Sequence, residues 1–526
     1  MPPSIRKLQA GLTFHRQGAL AEAEQCYLAV IEADPTHGEA FKLLSLIAFD
    51  RGDYEQATSY VHAALAREPG AGQYLHLLGR IQFAQDDLDA AAVSLSQALT
   101  SDVPERAQAL LDLAQCHARR KAWPESLAVA RRLLAEQPDH VVAERVAGFA
   151  CFSLARDAEA LAYFDRVLAR DPERAGVWHA SSVSLSRMGD ALSAYPRAVR
   201  ACELAPENAE YAYQRRLAAG KAVPDWHFNM LNDTDREVAF ATAIANQVKP
   251  EHLVLDIGSG TGLLAMLAAR GVGAAGGARR VVTCEANPVI AKAAAEVVAS
   301  NGFAQRVSVI SKASSDLQVG VDLPERADVL ICEVFSVQVI SEGVLPTVED
   351  AKARLLKPDA LIIPARATAC GALVAGDSLA RQVRVGWVQG LDLSSFNAFT
   401  PPLLYLAPGQ ALEWLSEAVE LLSFDLARGH GFPAQKQVLE VPVSSSGLCQ
   451  GVVQWLRLEL APGVHFDNRP NAESEAANRH WAPVFYPFAR PVPLQAGQTV
   501  TLRASHNRVG MHVELVSLGK ADLNQS

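Results

Sequence analysis

Two punctuation marks recur in one register through the first part of the chain, and they constrain its fold more than any other feature. Proline stands at Pro35, Pro69, Pro104, Pro138, Pro172 and Pro206, in steps of 34, 34, 35, 34 and 34 residues. Gly18, Gly52, Asp86, Lys121, Ala155 and Gly189 follow with the same steps. Between the marks the text is rich in Ala and Leu with helical periodicity, as in GALAEAEQCYLAVIEADP and GDYEQATSYVHAALAREP. Each unit predicts helix, turn, helix, the proline closing the second helix because its ring cannot continue the hydrogen-bond ladder. Such a unit cannot bury its apolar face alone, so the units must stack.

The period and pattern resemble tetratricopeptide repeats, about six of them over residues 5 to 218. Repeats of that kind stack into a superhelix with a groove suited to an extended peptide. The resemblance therefore implies capture of protein partners or substrate in the groove; a spacer supporting the rest of the chain is the alternative.

After Gly220 the pattern stops. Leu253, Val254 and Leu255 read as a buried strand with Asp256 at its end, and Gly258, Gly260 and Gly262 follow before the helical text LLAMLAARG. Strand, tight turn and helix bring bare backbone to the carboxyl edge of a parallel sheet, where open α/β folds bind ligands. The next strand, Arg280 to Cys284, ends at Glu285, 23 residues beyond Gly262, where an acid can accept hydrogen bonds from both ribose hydroxyls. The glycines run G-x-G-x-G rather than in the dinucleotide spacing. They resemble the S-adenosylmethionine (AdoMet) loop of Rossmann-like methyltransferases, which implies that Asp256, the three glycines and Glu285 serve that cofactor; another nucleotide, or a merely structural turn, is the alternative.

The segment WHFNMLNDTDREVAFATAI, Trp226 to Ile244, resembles the helix that leads into the AdoMet loop of protein arginine N-methyltransferases. In that family an arginine after the M-L-x-D words holds the AdoMet carboxylate, and Arg236 stands there, with a planar fork that a lysine would not reproduce. His227 matches a family histidine near the cofactor. Where the family lays a glutamate against adenine, Lys312 to Asp316 offers Ser314. Many members also fold a tyrosine-bearing helix over the cofactor; here repeats occupy that position, so the cover is left open.

A further strand, Asp328 to Cys332, ends in Glu333, and Glu342 follows nine residues later, before Gly343-Val344-Leu345-Pro346. This spacing resembles the family's double-glutamate loop. Two carboxylates suit a guanidinium, which stays protonated with its charge spread over three nitrogens. Gripped from two sides, one terminal nitrogen can be held against a sulfonium methyl, so that positioning governs the transfer.

Beyond Pro364 strand-like runs such as KQVLEVPVS, GVVQWLRLEL and QTVTLRAS resemble the β-barrel of the same family, as does VGWVQGLDLSSFN. The stretch PPLLYLAPGQALEWLSEAV is a candidate for part of a dimerisation arm, hence a homodimer. NRHWAPVFY resembles the family's threonine-histidine-tryptophan loop, with Arg479 in place of threonine. It implies that His480 orients the acids or helps remove a proton, and that Trp481 walls the arginine pocket.

The expected architecture is multidomain: an all-α tetratricopeptide superhelix over 1–219, an α/β Rossmann-like AdoMet domain over 220–364, and a C-terminal β-barrel over 365–526. The combination is similar to the seventh and ninth members of the protein arginine N-methyltransferase family. It implies methyl transfer from AdoMet to a guanidino nitrogen of arginine in protein substrates, with Glu333, Glu342 and His480 catalytic. An AdoMet enzyme for another nucleophile, or a repeat scaffold with a non-catalytic methyltransferase half, are the alternatives. A net charge of −10 argues against nucleic acid as a partner. Eight scattered cysteines with no C-x-x-C pair, no metal-ligand spacing, no leader-like start and no run of eighteen apolar residues predict a cytoplasmic protein away from membranes. Mono-, symmetric and asymmetric dimethylation are not distinguished by these words.

Overall fold

The computed structural model describes residues 3–271, 277–407, 409–470 and 481–519. The chain divides into two compact units, Met1–Ala222 and Val223–Ser526.

Six helix pairs and one more helix build the first unit. They are α1 (Pro3–Arg16) with α2 (Leu20–Ala33), α3 (Gly38–Asp50) with α4 (Tyr54–Leu65), and α5 (Gly72–Ala84) with α6 (Leu88–Ala98). The array continues with α7 (Arg106–Arg119) and α8 (Trp123–Glu136), α9 (Val141–Ser153) and α10 (Asp157–Arg170), α11 (Ala175–Arg187) and α12 (Ala191–Leu204), then α13 (Ala209–Ala222).

The turn inside each pair needs a left-handed residue. Gly18, Gly52, Asp86, Lys121, Ala155 and Gly189 all have positive φ, between 55° and 84°. In three turns the next residue is an aspartate that caps the second helix. Asp53, Asp87 and Asp190 accept from the N–H groups of Gln56, Ala90 and Ser193 at 3.0, 3.1 and 3.0 Å. Ala19, Ala122 and Arg156 take the same place with no side-chain cap.

A third series, Gly11, Ser45, Gly79, Ala114, Gly148 and Ser182, keeps the same steps and stands where the helices of a pair cross. A Cβ at Gly148 would lie 2.7 Å from Phe164, so only a small residue lets the helices meet. Ser45 and Ser182 are buried and donate to the carbonyls of Ala57 and Ala194 at 2.7 and 2.9 Å.

The second unit opens with α14 (Trp226–Leu231), α15 (Thr234–Gln247), β1 (Leu253–Ile257), α16 (Leu263–Arg270) and β2 (Arg280–Cys284). It goes on through α17 (Pro288–Ser300), β3 (Val307–Ile310), β4 (Ala327–Cys332), α18 (Val344–Arg354) and β5 (Leu356–Ile363). The five strands make a parallel sheet in the order 3-2-1-4-5. Every residue of β1 is buried, as in a strand covered on both faces. The direction of strand addition reverses between β1 and β4, and the crevice at their carboxyl ends is where such sheets bind ligands.

The rest of the unit is antiparallel. Glu413–Trp414, Arg366–Ala375, Gly447–Ala461, Val484–Leu494 and Leu404–Tyr405 lie side by side in one sheet, joined by Val419–Asp425 and Val464–Asp467. Gln435–Pro442, Thr499–His506 and Met511–Leu518 form another. The expected barrel thus takes the form of two sheets sharing a core, with an isolated bridge between Ser416 and Val443; among the described residues no continuous ladder closes them. That core runs on into the parallel half, from Leu255 and Leu330 to Leu373, Leu456 and Tyr486. No described helix is long and apolar enough to cross a membrane.

Candidate active site

A cavity of about 390 Å3 opens at the carboxyl ends of β1, β2 and β4, in the second unit. Its floor is the glycine turn. Gly258 has φ 87°, and a Cβ there would lie 2.9 Å from Val334; Gly262, at φ 80°, is as close to Val298. Any side chain at either position would be strained and would push on the neighbouring element. Gly260 has φ 50°, lines the cavity, and donates its N–H to Glu285 Oε2 at 3.3 Å. Glu285 also accepts from the Asn287 N–H at 2.9 Å, so two backbone donors fix a carboxylate at the cavity wall.

Asp256 does not line this cavity, which corrects its expected role as a cofactor contact. It is 1% exposed inside β1, and Thr283 of β2 donates to it at 2.7 Å. Burial pushes its carboxyl up to about 7, against the Thr283 bond and with help from the charges of Glu333 and Glu285. Ile257 and Gly258 line the cavity at the carboxyl end of the strand, whereas Asp256, one residue earlier, is buried beside Thr283.

Arg236 stands in the first turn of α15, where Asp233 caps the helix by accepting the Arg236 N–H at 3.2 Å. The side chain is almost completely buried. Its guanidinium lies 5.1 Å from the Phe240 ring and 5.6 Å from the Trp481 ring, pairs with Glu333 at 2.7 Å, and pairs with Glu237. Burial raises the Glu333 carboxyl, and the Arg236 charge opposes the rise. Glu342 also lines the cavity, with no hydrogen-bond or ion-pair partner among the described residues, its carboxyl pushed up to about 7 by burial and by the charge of Glu333.

The loop between the two acids is tied down by the antiparallel half. Trp481 Nε1 donates to the Phe335 carbonyl at 2.9 Å, Gln454 donates to the Val337 carbonyl at 3.1 Å, and Gln338 donates to the Tyr486 hydroxyl at 2.8 Å. Val339 has φ 72°, a strained conformation for a β-branched residue, held in the middle of this loop.

Trp481 is therefore not the wall of an arginine pocket. It is 1% exposed, and the guanidinium over its ring belongs to Arg236. His480 lies outside the described residues. His227 lines the cavity, stacked on Trp226 at 3.8 Å between ring centres, with its Nδ1 2.9 Å from the Pro224 carbonyl. Ser314 lines it too, at the start of a short 3-10 turn. Glu237, Met230 and Ser259 also belong to the site but were passed over in the sequence, although Glu237 is the immediate neighbour of Arg236.

In the first unit, cavities of about 210 and 120 Å3 lie among α3, α5 and α7, and Arg80 lines both. Its guanidinium stacks 5.3 Å from the Phe49 ring.

Comparison with known proteins bears on both units. Tetratricopeptide repeat models match residues 7–37, 42–95 and 77–141. A model described as ribosomal protein L11 methyltransferase (PrmA) matches residues 240–364. An arginine N(omega)-methyltransferase from Streptomyces achromogenes subsp. streptozoticus is 37% identical over 302 residues, covering 56% of this chain and 80% of that protein. The chain belongs to the arginine N-methyltransferase family. A protein arginine N-methyltransferase 7 from Oryza sativa subsp. indica is 30% identical over 328 residues, 55% of this chain. The match spans 44% of that protein, less than half its length. The solved Trypanosoma brucei PRMT1 enzyme–prozyme complex with AdoHcy aligns with 57% of this chain and 95% of its own at 22% identity, TM-score 0.48.

The methyl donor of this enzyme is AdoMet, and the residues present fit it. Glu285 offers a fixed carboxylate to a ribose and Gly260 leaves the backbone open. Arg236 Nε and Ser259 Oγ, both buried without a partner, are polar atoms that a ligand would satisfy.

Proposed function

We propose that the chain methylates arginine side chains of proteins or peptides, with Glu333 and Glu342 gripping the guanidinium. The observation that carries this reading is the pair of acids on one loop lining a single cavity, one held by Arg236 and the other without a partner among the described residues. AdoMet, when bound, supplies an electrophilic methyl on a sulfonium. Arg236, Glu285, Gly258 and Gly260 hold and orient it, with His227 and Ser314 at the wall, while Asp256 and Gly262 support the turn.

The incoming guanidinium offers paired N–H groups to both carboxylates, and their charge is worth more in a water-poor cleft than in bulk solvent. Fixing one terminal nitrogen on the methyl's line of approach supplies much of the rate. Once methylated, that nitrogen sheds a proton. Glu342, with a carboxyl near 7, is suited to take it, and His480 is the expected assistant.

The repeats would serve to bring protein segments to the enzyme, through a groove that includes the cavities beside Arg80. A homodimer would cover the apolar side chains Trp387, Phe396 and Phe399, which are 74%, 68% and 75% exposed just ahead of the expected arm. Eight unpaired cysteines agree with a reducing compartment such as the cytoplasm, and the negative net charge agrees with partners other than nucleic acid.

A second reading, free arginine as the acceptor, is favoured by the streptomycete relative, which is named for arginine itself. Labelled methyl from AdoMet, offered in parallel to an arginine-rich protein mixture and to free L-arginine, separates the two. Label in protein supports the first; label confined to the free amino acid moves the assignment to the second.

A further inference from the structure

Beside the main cavity is a recess of about 20 Å3, and the two share Met230, Gly258, Gly260 and Glu333. A recess of that size holds about one water-sized group. Arg236, Glu237 and Ser259 also wall it. Each has a buried polar atom with no hydrogen-bond partner: Arg236 Nε, Glu237 Oε2 and Ser259 Oγ. Arg236 is 2% exposed and Ser259 6%, so bulk water does not satisfy them.

The charges are as unbalanced as the hydrogen bonds. One guanidinium faces two carboxylates, its terminal nitrogens taken by Glu237 and Glu333 and its Nε left over. What remains is one N–H donor, one carboxylate oxygen and one hydroxyl, with net negative charge. A neutral water could fill hydrogen bonds here but would leave the second carboxylate uncompensated. A group with an ammonium and a carboxylate on one carbon would satisfy all three atoms, its ammonium set against the second carboxylate and its own carboxylate against the Arg236 N–H.

On the reading of the main cavity as the AdoMet site, we infer that Glu237, assisted by Ser259, binds the α-ammonium of the cofactor's methionine end. Its partner in this is Arg236, which binds the neighbouring carboxylate through Nε. Glu237 is a positioning residue for the methyl donor: it fixes the amino-acid end, and so the direction in which the sulfonium points.

Calorimetric titration of the full chain, wild type and Glu237→Gln, tests this with three ligands: AdoHcy, AdoHcy lacking its amino group, and 5′-methylthioadenosine, which lacks the amino-acid end. The variant should bind AdoHcy about tenfold more weakly, the usual scale for a lost charge-assisted hydrogen bond. It should bind the deaminated ligand and 5′-methylthioadenosine as the wild type does. Unchanged AdoHcy affinity, or equal weakening toward all three, would overturn the inference. A wild type that binds none of them would instead remove the AdoMet reading of the cavity.

Discussion

Arg236 and Glu333 are joined at 2.7 Å across the crevice of the parallel sheet, tying the helix that precedes β1 to the residue that follows β4. On the proposed reading the pair sets the cation that would hold AdoMet directly against an acid that would hold the arginine. A single buried link would then align donor and acceptor.

Glu342 is the free member of the acid pair, and its carboxyl near 7 makes its grip dependent on pH. Protonated, it cannot hold a guanidinium. Methyl transfer at low arginine concentration should rise through pH 7 and level above it. In Glu342→Gln this rise should vanish, with kcat/KM lower by on the order of a hundredfold. A pH–rate profile shows both effects together.

Asp256 ties stability to pH in the opposite sense from most carboxylates. The folded chain holds its proton up to about 7, whereas an unfolded aspartate releases it near 4. Between these values the unfolded state binds fewer protons, so stability falls as pH rises, by at most about 4 kcal/mol from this group. Asp256→Asn should flatten that fall while keeping an acceptor for Thr283. Urea unfolding of wild type and variant at pH 5 and pH 8, followed by tryptophan fluorescence, measures it.

Tyr486 anchors the loop of the acids. Its hydroxyl accepts from Gln338 inside the loop that carries both glutamates. Tyr486→Phe leaves the buried Gln338 amide with one fewer partner, a loss of about 1 kcal/mol. The expected result is a several-fold lower kcat with AdoHcy affinity unchanged, read from steady-state kinetics alongside calorimetry.

The repeat unit has uncorrected turns. Ala122 occupies the capping place that Asp53, Asp87 and Asp190 fill elsewhere, with similar backbone angles. Ala122→Asp should add about 1 kcal/mol to the stability of that unit. The midpoint of its thermal unfolding would rise by a few degrees.

Much of this was legible because period and spacing carry it. The two series of turns and prolines set the helix pairs, and the third, small-residue series was equally present in the text. It was passed over because a small residue marks a crossing only once the helices are known to cross. Gly258, Gly260, Glu285, Glu333 and Glu342 reach one cavity because each follows a strand end, and strand ends in a parallel sheet converge. Asp256 and Trp481 were misplaced for a matching reason: each stands beside residues that read as functional, but Asp256 is buried within β1 against Thr283, and the Arg236 guanidinium covers the Trp481 ring. Glu237 went unread because its meaning depends on which atoms Arg236 has left unpaired, and that is a property of packing.

The central claim is that two glutamates on one loop hold an arginine for methylation. It is tested most directly by incubating the full chain with AdoMet and an arginine-rich protein mixture, then measuring methylarginine by mass spectrometry for the wild type and Glu333→Gln. The account predicts methylarginine from the wild type and none above background from the variant, whose mass and isomer would also assign the product class. Wild-type protein that binds AdoHcy yet leaves every arginine unmodified, or a variant as active as the wild type, would contradict it.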